Sequence, residues 1–215
     1  MNHIIIDFDS TFIKDESLDI LAKFSVGKED NFIDKIANIT NDGMEGKISF
    51  KESLTRRIQL FDSNKKSLEM TINFLKNRVS RSFYKNKQFL KKHSEYIYIL
   101  SSGFLDIIEP IVKDFNIKKE NIFGNNFTFD EFDNITGFEK TNPLSSDLGK
   151  VNIIKNLDLV GKTHVIGDGY TDYEIKKEGY ADFFYLFIEN KERKALVKYA
   201  DYSLKSLDEF IDIIG

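Results

Sequence analysis

Ile4-Ile5-Ile6-Asp7-Phe8-Asp9-Ser10-Thr11 is the stretch whose reading decides the fold. A short apolar run stops abruptly in two carboxylates one residue apart. Side chains alternate along a strand, so Asp7 and Asp9 leave its C-terminal end on one side while Phe8 points to the other. Two crowded carboxylates followed by two hydroxyls suit a hard divalent cation such as Mg2+, which binds through one or two carboxylates together with phosphate oxygens. One carboxylate can also act as a nucleophile toward phosphorus. Taken alone, the octapeptide reads equally well as a strand running into an Asp/Ser turn. The rest of the chain decides between the two.

The chain has 215 residues, enough for one domain, with or without an insertion. Hydrophobic residues make up 41%, with 20 Phe and no Trp, so a folded core rich in Phe, Ile and Leu is expected. Lys, Asp and Glu are interspersed and the formal charge is −4, which argues against nucleic acid and anionic membranes as partners and for a small polar substrate. The absence of Cys excludes disulfides, thiolate catalysis and Cys-based zinc sites. The three His residues, at 3, 93 and 164, stand singly and read as surface or strand-end residues. No signal segment and no run of spanning length is visible, so a cytoplasmic protein, monomer or homodimer, is expected.

After the first strand, from about Asp15 to Ser80, only helical periodicity is found. Leu18, Leu21, Ala22 and Phe24 mark one helix face, and Phe32, Ile33, Ile36 and Ile39 a second. Phe50, Leu54, Ile58 and Phe61 mark a third behind a Ser49 cap with Glu52 three residues on. Leu68, Ile72, Leu75 and Val79 mark a fourth; Asp42 to Lys47 reads as an exposed loop. From about Tyr84 strands and helices alternate, the mark of an α/β fold. A strand Tyr96–Leu100 ends in Ser101-Ser102-Gly103, and Asp133-Asn134 forms the turn of a β-hairpin flap. The strand Thr163–Ile166 ends in Gly167-Asp168-Gly169.

Open parallel sheets bind ligands beyond the carboxyl ends of their strands, where strand order reverses. If the three polar-ended strands are neighbours, Asp7, Asp9, Ser101, Ser102, Asp168 and Asp172 converge, with Lys150 adding positive charge from a helix start. Such a group supplies what phosphate-ester cleavage needs. Mg2+ held by Asp7, Asp9 and Asp168 screens charge repulsion, and Ser101, the backbone around Ser102 and Gly103, and Lys150 hold the phosphoryl group. One carboxylate attacks phosphorus; the other protonates the leaving alkoxide and then activates water.

These four segments, in this order and with a helical insert after the first, resemble the haloacid dehalogenase (HAD) superfamily of phosphohydrolases, in the branch of phosphoserine phosphatases. The resemblance covers essentially the whole chain. It implies an α/β fold with a HAD-like Rossmannoid parallel-sheet core over residues 1–13 and 81–215, an all-helical cap of the C1 type over 14–80, and the hairpin flap. It implies Asp7 as nucleophile, Asp9 as general acid/base, Ser101 and Lys150 as the second and third motifs, Asp168 as a magnesium ligand and Asp172 as support for the metal site.

The resemblance also extends to substrate choice, with O-phospho-L-serine, a small phosphorylated metabolite of serine biosynthesis, as the implied substrate. Glu16 stands where a Glu meets the amino group, Arg57 where an Arg pairs with the carboxylate, and Met44 and Phe50 where apolar residues cover the substrate. Thr171 can donate to phosphate. Singly, each has a plainer reading: Met44 and Phe50 as cap core, Glu16 as a helix-start acid, Arg57 as a solvated charge. Ser102 and Tyr170 depart from the family pattern, which often has small residues there. A relative acting on another phosphomonoester, a phosphotransferase to an alcohol such as homoserine, and a non-catalytic metabolite-binding protein remain alternatives.

Overall fold

A computed structural model describes residues 2–215. In chain order, β1 (Asn2–Ile6) leads into the cap, built from α1 (Ser17–Lys23), β2 (Val26–Gly27), α2 (Phe32–Met44), α3 (Phe50–Ile58), β3 (Phe61–Asp62) and α4 (Lys65–Leu75). The chain re-enters the core through α5 (Arg81–Lys85), α6 (Lys87–Lys92), β4 (Ile97–Phe104), α7 (Leu105–Val112) and β5 (Ile122–Asn125). The flap hairpin, β6 (Phe127–Phe129) and β7 (Ile135–Phe138), follows. The chain closes with α8 (Gly149–Leu157), β8 (Lys162–Gly167), α9 (Tyr170–Lys177), β9 (Phe183–Phe187), β10 (Tyr202–Leu204) and α10 (Leu207–Ile214).

Six strands form one parallel sheet in the order β10-β9-β8-β1-β4-β5. A parallel sheet is covered on both faces, which is why its strands read as unbroken apolar runs. Alternation sends Ile4 and Ile6 to one face, with Phe83, Leu90, Ile108, Phe187 and Phe210 of α5, α6, α7, β9 and α10. Ile5 goes to the other, with Val151 and Ile154 of α8, Ile175 of α9, and Leu186. The strand order places β1 between β4 and β8, so the three polar-ended strands are neighbours. Among the described residues no helix is long and apolar enough to cross a membrane.

Several local expectations are corrected. The cap is not wholly helical, because Val26–Gly27 and Phe61–Asp62 pair antiparallel. The loop expected from Asp42 begins only after Met44: α2 packs so closely on α3 that a Cβ at Gly43 would lie 2.7 Å from Ser53 Oγ, so that glycine serves contact rather than a turn. β4 runs on to Phe104 through a register shift after Leu100, which hides the polar Ser-Ser-Gly segment from an apolar-run reading. His3 and His164 are buried in strands, the latter with Nδ1 3.0 Å from the Tyr185 hydroxyl.

The two chain crossings between core and cap run side by side. Ile13 bridges Val79, Lys14 N donates to Arg78 O at 2.8 Å, and Ser80 N donates to Phe12 O at 2.9 Å. Arg78 adds a two-pronged pair with Asp15 at 2.7 and 3.2 Å. The flap forms a third attachment: Asn64 bridges Asn134, Lys65 N donates to Asp133 O at 3.0 Å, and Ile135 N donates to Ser63 O at 2.8 Å. Phe187, fully buried, meets Phe83 edge-on at 5.3 Å where the returning chain joins the sheet. Phe187→Ala is expected to lower unfolding free energy by about 3–5 kcal/mol, read from urea denaturation, and Phe187→Leu by much less.

Candidate active site

The neighbouring ends of β1, β4 and β8 bring Asp7, Ser101 and Asp168 together. Lys150, in the first turn of α8, lies with Nζ 2.7 Å from Asp7 Oδ1 and 2.7 Å from Asp172 Oδ1. Asp172 sits in the first turn of α9, where the helix dipole favours an acid, and its Oδ2 accepts from Gly169 N at 3.0 Å. It packs against Gly167 so tightly that any Cβ there would lie 2.2 Å from Asp172 Cγ. Gly103 N donates to Ser101 Oγ at 2.9 Å, which leaves that hydroxyl's proton free for another acceptor.

Past Asp7 the backbone makes one wide turn over Phe8–Phe12, with Phe12 N donating to Asp7 O at 3.3 Å and Ile13 N to Phe8 O at 3.0 Å. Ser10 at its centre takes a left-handed conformation, φ 54°, unusual for a residue with a Cβ. The turn carries Asp9 out toward the cap, where its carboxyl accepts from Ser17 N at 2.8 Å and Ser17 Oγ at 3.1 Å.

Asp7, Asp168 and Asp172 each offer an oxygen within 4.8 Å of the others, all three buried. Oδ1 of Asp168 is buried without a hydrogen-bond partner. An all-carboxylate donor set with an unspent oxygen fits a hard divalent cation. Asp9, expected as a ligand, does not join this cluster through its carboxyl because Ser17 holds it, whereas Asp172, expected only in support, does.

The site holds more negative than positive groups out of reach of water, and its proton affinities follow. Burial pushes the Asp9 carboxyl up to about 7, helped by Glu16 and opposed by the Ser17 hydrogen bonds. Burial likewise raises Asp168 to about 7; the Arg193 guanidinium opposes this, while Glu16 and Asp172 add to it. Burial, then Asp172, push Asp7 well above the ordinary carboxylate range, with Lys150 pulling the other way. Burial alone would favour the neutral amine of Lys150, but Asp172 and Asp7 outweigh it and hold the ammonium protonated.

The cap closes over this group. The cavity between them has a volume of only 20 Å³, little more than a water molecule's room. Its core-side lining includes Asp7, Asp9, Ser101, Ser102, Gly103, Lys150 and Thr171, and its cap-side lining Glu16, Met44, Phe50 and Arg57. The expected residues therefore share one cavity, apart from Asp168 and Asp172, which lie behind it. A wider surface groove of 660 Å³ beside α7 contains none of them. Arg57 is only 5% exposed, with Nη1 3.2 Å from Thr40 Oγ1 and Nε 3.4 Å from Ser53 O, so the plain reading of a solvated charge does not hold. Tyr170 turns away from the cavity, edge-on to Tyr173 at 5.7 Å, with its ring against Gly46 of the cap.

Sequence reasoning missed the segment Glu189-Asn190-Lys191-Glu192-Arg193. Arg193, 3% exposed, has Nε 2.7 Å from Asp168 Oδ2 and Nη2 3.1 Å from Glu16 Oε1, so it ties the candidate metal group to the cap entrance. Ser10 Oγ also donates to Glu16 Oε1, at 2.8 Å. Lys191 Nζ donates to Asn41 of α2. The signal was available: this run of polar side chains follows β9 at the same edge of the sheet.

No protein-family model matches the chain. Among curated proteins, it is 30% identical to a chloroplastic phosphoserine phosphatase from Arabidopsis thaliana, over 97% of this chain and 70% of that one. It is 28% identical to a phosphoserine phosphatase from Bos taurus, over 99% of this chain and 91% of that one. Among solved structures, a phosphoserine phosphohydrolase-like protein from Francisella tularensis superposes with a TM-score of 0.90 at 30% identity, covering 100% of both chains. The chain is thus a phosphomonoester hydrolase that belongs to the phosphoserine phosphatase family of the HAD superfamily.

Proposed function

We propose that the protein is a Mg2+-dependent phosphatase of O-phospho-L-serine, completing serine biosynthesis through an aspartyl-phosphate intermediate on Asp7. The observation that carries this reading is the closed cavity with Glu16 and Arg57 buried in its cap-side wall, 8% and 5% exposed, opposite Asp7. A buried acid and a buried guanidinium complement a substrate that carries both an ammonium and a carboxylate, and neither is needed for a bare phosphate ester. Met44 and Phe50 supply the apolar cover that keeps water from the reacting centre.

In this reading, Asp7 attacks phosphorus and the ester oxygen leaves with a proton from Asp9. Asp9 then accepts a proton from the water that cleaves the acyl phosphate. Burial near neutral pKa suits Asp9 to carry a proton both ways. Lys150 pairs with Asp7 and orients it; Ser101, Thr171 and the Ser102-Gly103 backbone line the space for the phosphoryl oxygens. Asp7, Asp168 and Asp172 would hold the cation, with any share from Asp9 falling to its backbone carbonyl. When bound, Mg2+ supplies charge screening for the anionic ester. Substrate entry requires the cap to lift, with residues 12–14 and 80–83 as the hinges.

Phosphate release with Mg2+ should be fastest for phosphoserine in a panel of phosphomonoesters, and Asp7→Asn should reduce it to background. Arg57→Ala should lower kcat/KM for phosphoserine by about tenfold to a thousandfold, through loss of a charge-assisted pair, while leaving p-nitrophenyl phosphate nearly untouched. Equal losses on both esters would remove the carboxylate assignment. Phosphohomoserine formed on addition of homoserine would point instead to transfer.

The shifted carboxyls also predict a pH dependence of stability in chelator. Asp9 and Asp168 rise from an ordinary 3.8 to about 7 in the folded protein. The folded state therefore binds more protons than the unfolded state between those values. Stability should be greatest below about pH 4 for these two groups and fall toward pH 7, by up to about 1.4 kcal/mol per pH unit for each. Denaturation in EDTA across this range should show a shallower slope for Asp9→Asn than for wild type. Mg2+ should raise the melting temperature more at pH 7.5 than at pH 5, because carboxylates bind it only when ionised. Identical slopes for the two proteins would contradict the proton count.

A further inference from the structure

The turn that presents Asp9 is strained, and its support comes from a distant part of the chain. Ser10, directly after Asp9, is left-handed at φ 54° and ψ 0°, a conformation that persists in a non-glycine residue only where its surroundings over-determine it. The Asn190 side-chain amide lies 3.0 Å from Ser10 O and 2.6 Å from Ser80 Oγ, with Thr11 O and Ile13 O farther off at 3.3 and 3.4 Å. An amide nitrogen has two protons, and the two shorter contacts take them. Ser80 Oγ passes its own proton to Thr11 O at 2.6 Å, so one donor chain runs from Asn190 through Ser80 into the turn. Asn190 is itself anchored, since the neighbouring Glu189 accepts from Ser82 N at 3.2 Å and from Ser82 Oγ.

We infer that Asn190 is a positioning residue for proton transfer: its side-chain amide holds the Ser10-Thr11 turn and thereby sets the Asp9 carboxyl against the leaving oxygen. Asn190 does not line the substrate cavity. It acts through the backbone that carries Asp9, on one side, and through Ser80 of the returning linker, on the other. The inference rests on Asp9 as the proton carrier proposed above.

Leaving groups separate this role from a merely structural one. Ethyl phosphate releases a strongly basic alkoxide that needs a proton from Asp9; p-nitrophenyl phosphate releases a phenolate stable without one. Neither ester has an ammonium or a carboxylate, so the result does not depend on phosphoserine being the substrate. The quantity to measure is the ratio of kcat/KM for the two esters with Mg2+, which reports steps up to phosphoryl transfer onto Asp7. Any fraction of misfolded protein cancels in it. Asp9→Asn should lower the alkyl-to-aryl ratio by about a hundredfold or more. Asn190→Ala should lower it by about tenfold, the effect of a misplaced rather than a missing acid. Asn190→Asp keeps the shape but replaces the donor by an acceptor facing carbonyl oxygens, and should lower it at least as far. A wild-type ratio in both Asn190 variants, beside a lowered one in Asp9→Asn, overturns the inference. A wild-type ratio in Asp9→Asn removes its premise and the inference with it.

Discussion

The contact between the Lys150 ammonium and the carboxylates of Asp7 and Asp172 is the constraint on which the rest of the site depends. One cation at 2.7 Å from each of two buried acids offsets a repulsion that would otherwise drive β1 and α9 apart. It leaves Asp168 uncompensated by Lys150, and Arg193 takes that side at 2.7 Å. Three buried cations, Lys150, Arg193 and Arg57, for five buried acids, counting Asp9 and Glu16, leave a deficit that protons or a divalent ion must make up. The raised carboxyl affinities and the unpartnered Asp168 oxygen are two expressions of that deficit.

Much of this was legible in the sequence because the relevant rules are local. The unbroken Ile4–Ile6 run followed by Asp7 and Asp9 identifies a buried parallel strand ending in a site, and the same reasoning applies at Ser101 and Asp168. The Ser49 cap is present as read, its side chain accepting from Glu52 N at 3.2 Å. What escaped depends on tertiary contact. Gly43 looks like a loop glycine until α2 and α3 are packed together. β10 is a three-residue edge strand with two exposed side chains, too short for a period-two signal. Arg193 reaches Glu16, and Asn190 reaches Ser10, across 177 and 180 positions, and no spacing rule connects such pairs.

Asp9 is held from two directions that differ in kind. Its carboxyl is oriented by the start of α1, through Ser17, so that side belongs to the cap. Its backbone follows the turn braced by Asn190 in the segment after β9, so that side belongs to the core. Glu16, at the cap entrance, is reached from the core by Ser10 and Arg193. Movement of the cap would therefore change the environment of Asp9, whose carboxyl is held by Ser17 only with the cap down. In the proposed reaction, a closed cap and a competent acid would be one condition.

The flap changes what kind of movement that can be. A lid hung on two adjacent linkers would rotate freely about the line joining them. Here the backbone contacts of Ser63, Asn64 and Lys65 with the hairpin tip add a third support beside the two linkers. Opening must then either break the backbone contacts at the tip or bend the hairpin along with the cap. On the proposed opening, the hairpin would act as a leaf spring whose stiffness is set by the pairing of β6 and β7. Its length and twist would then tune how often the cavity opens without altering the chemistry inside.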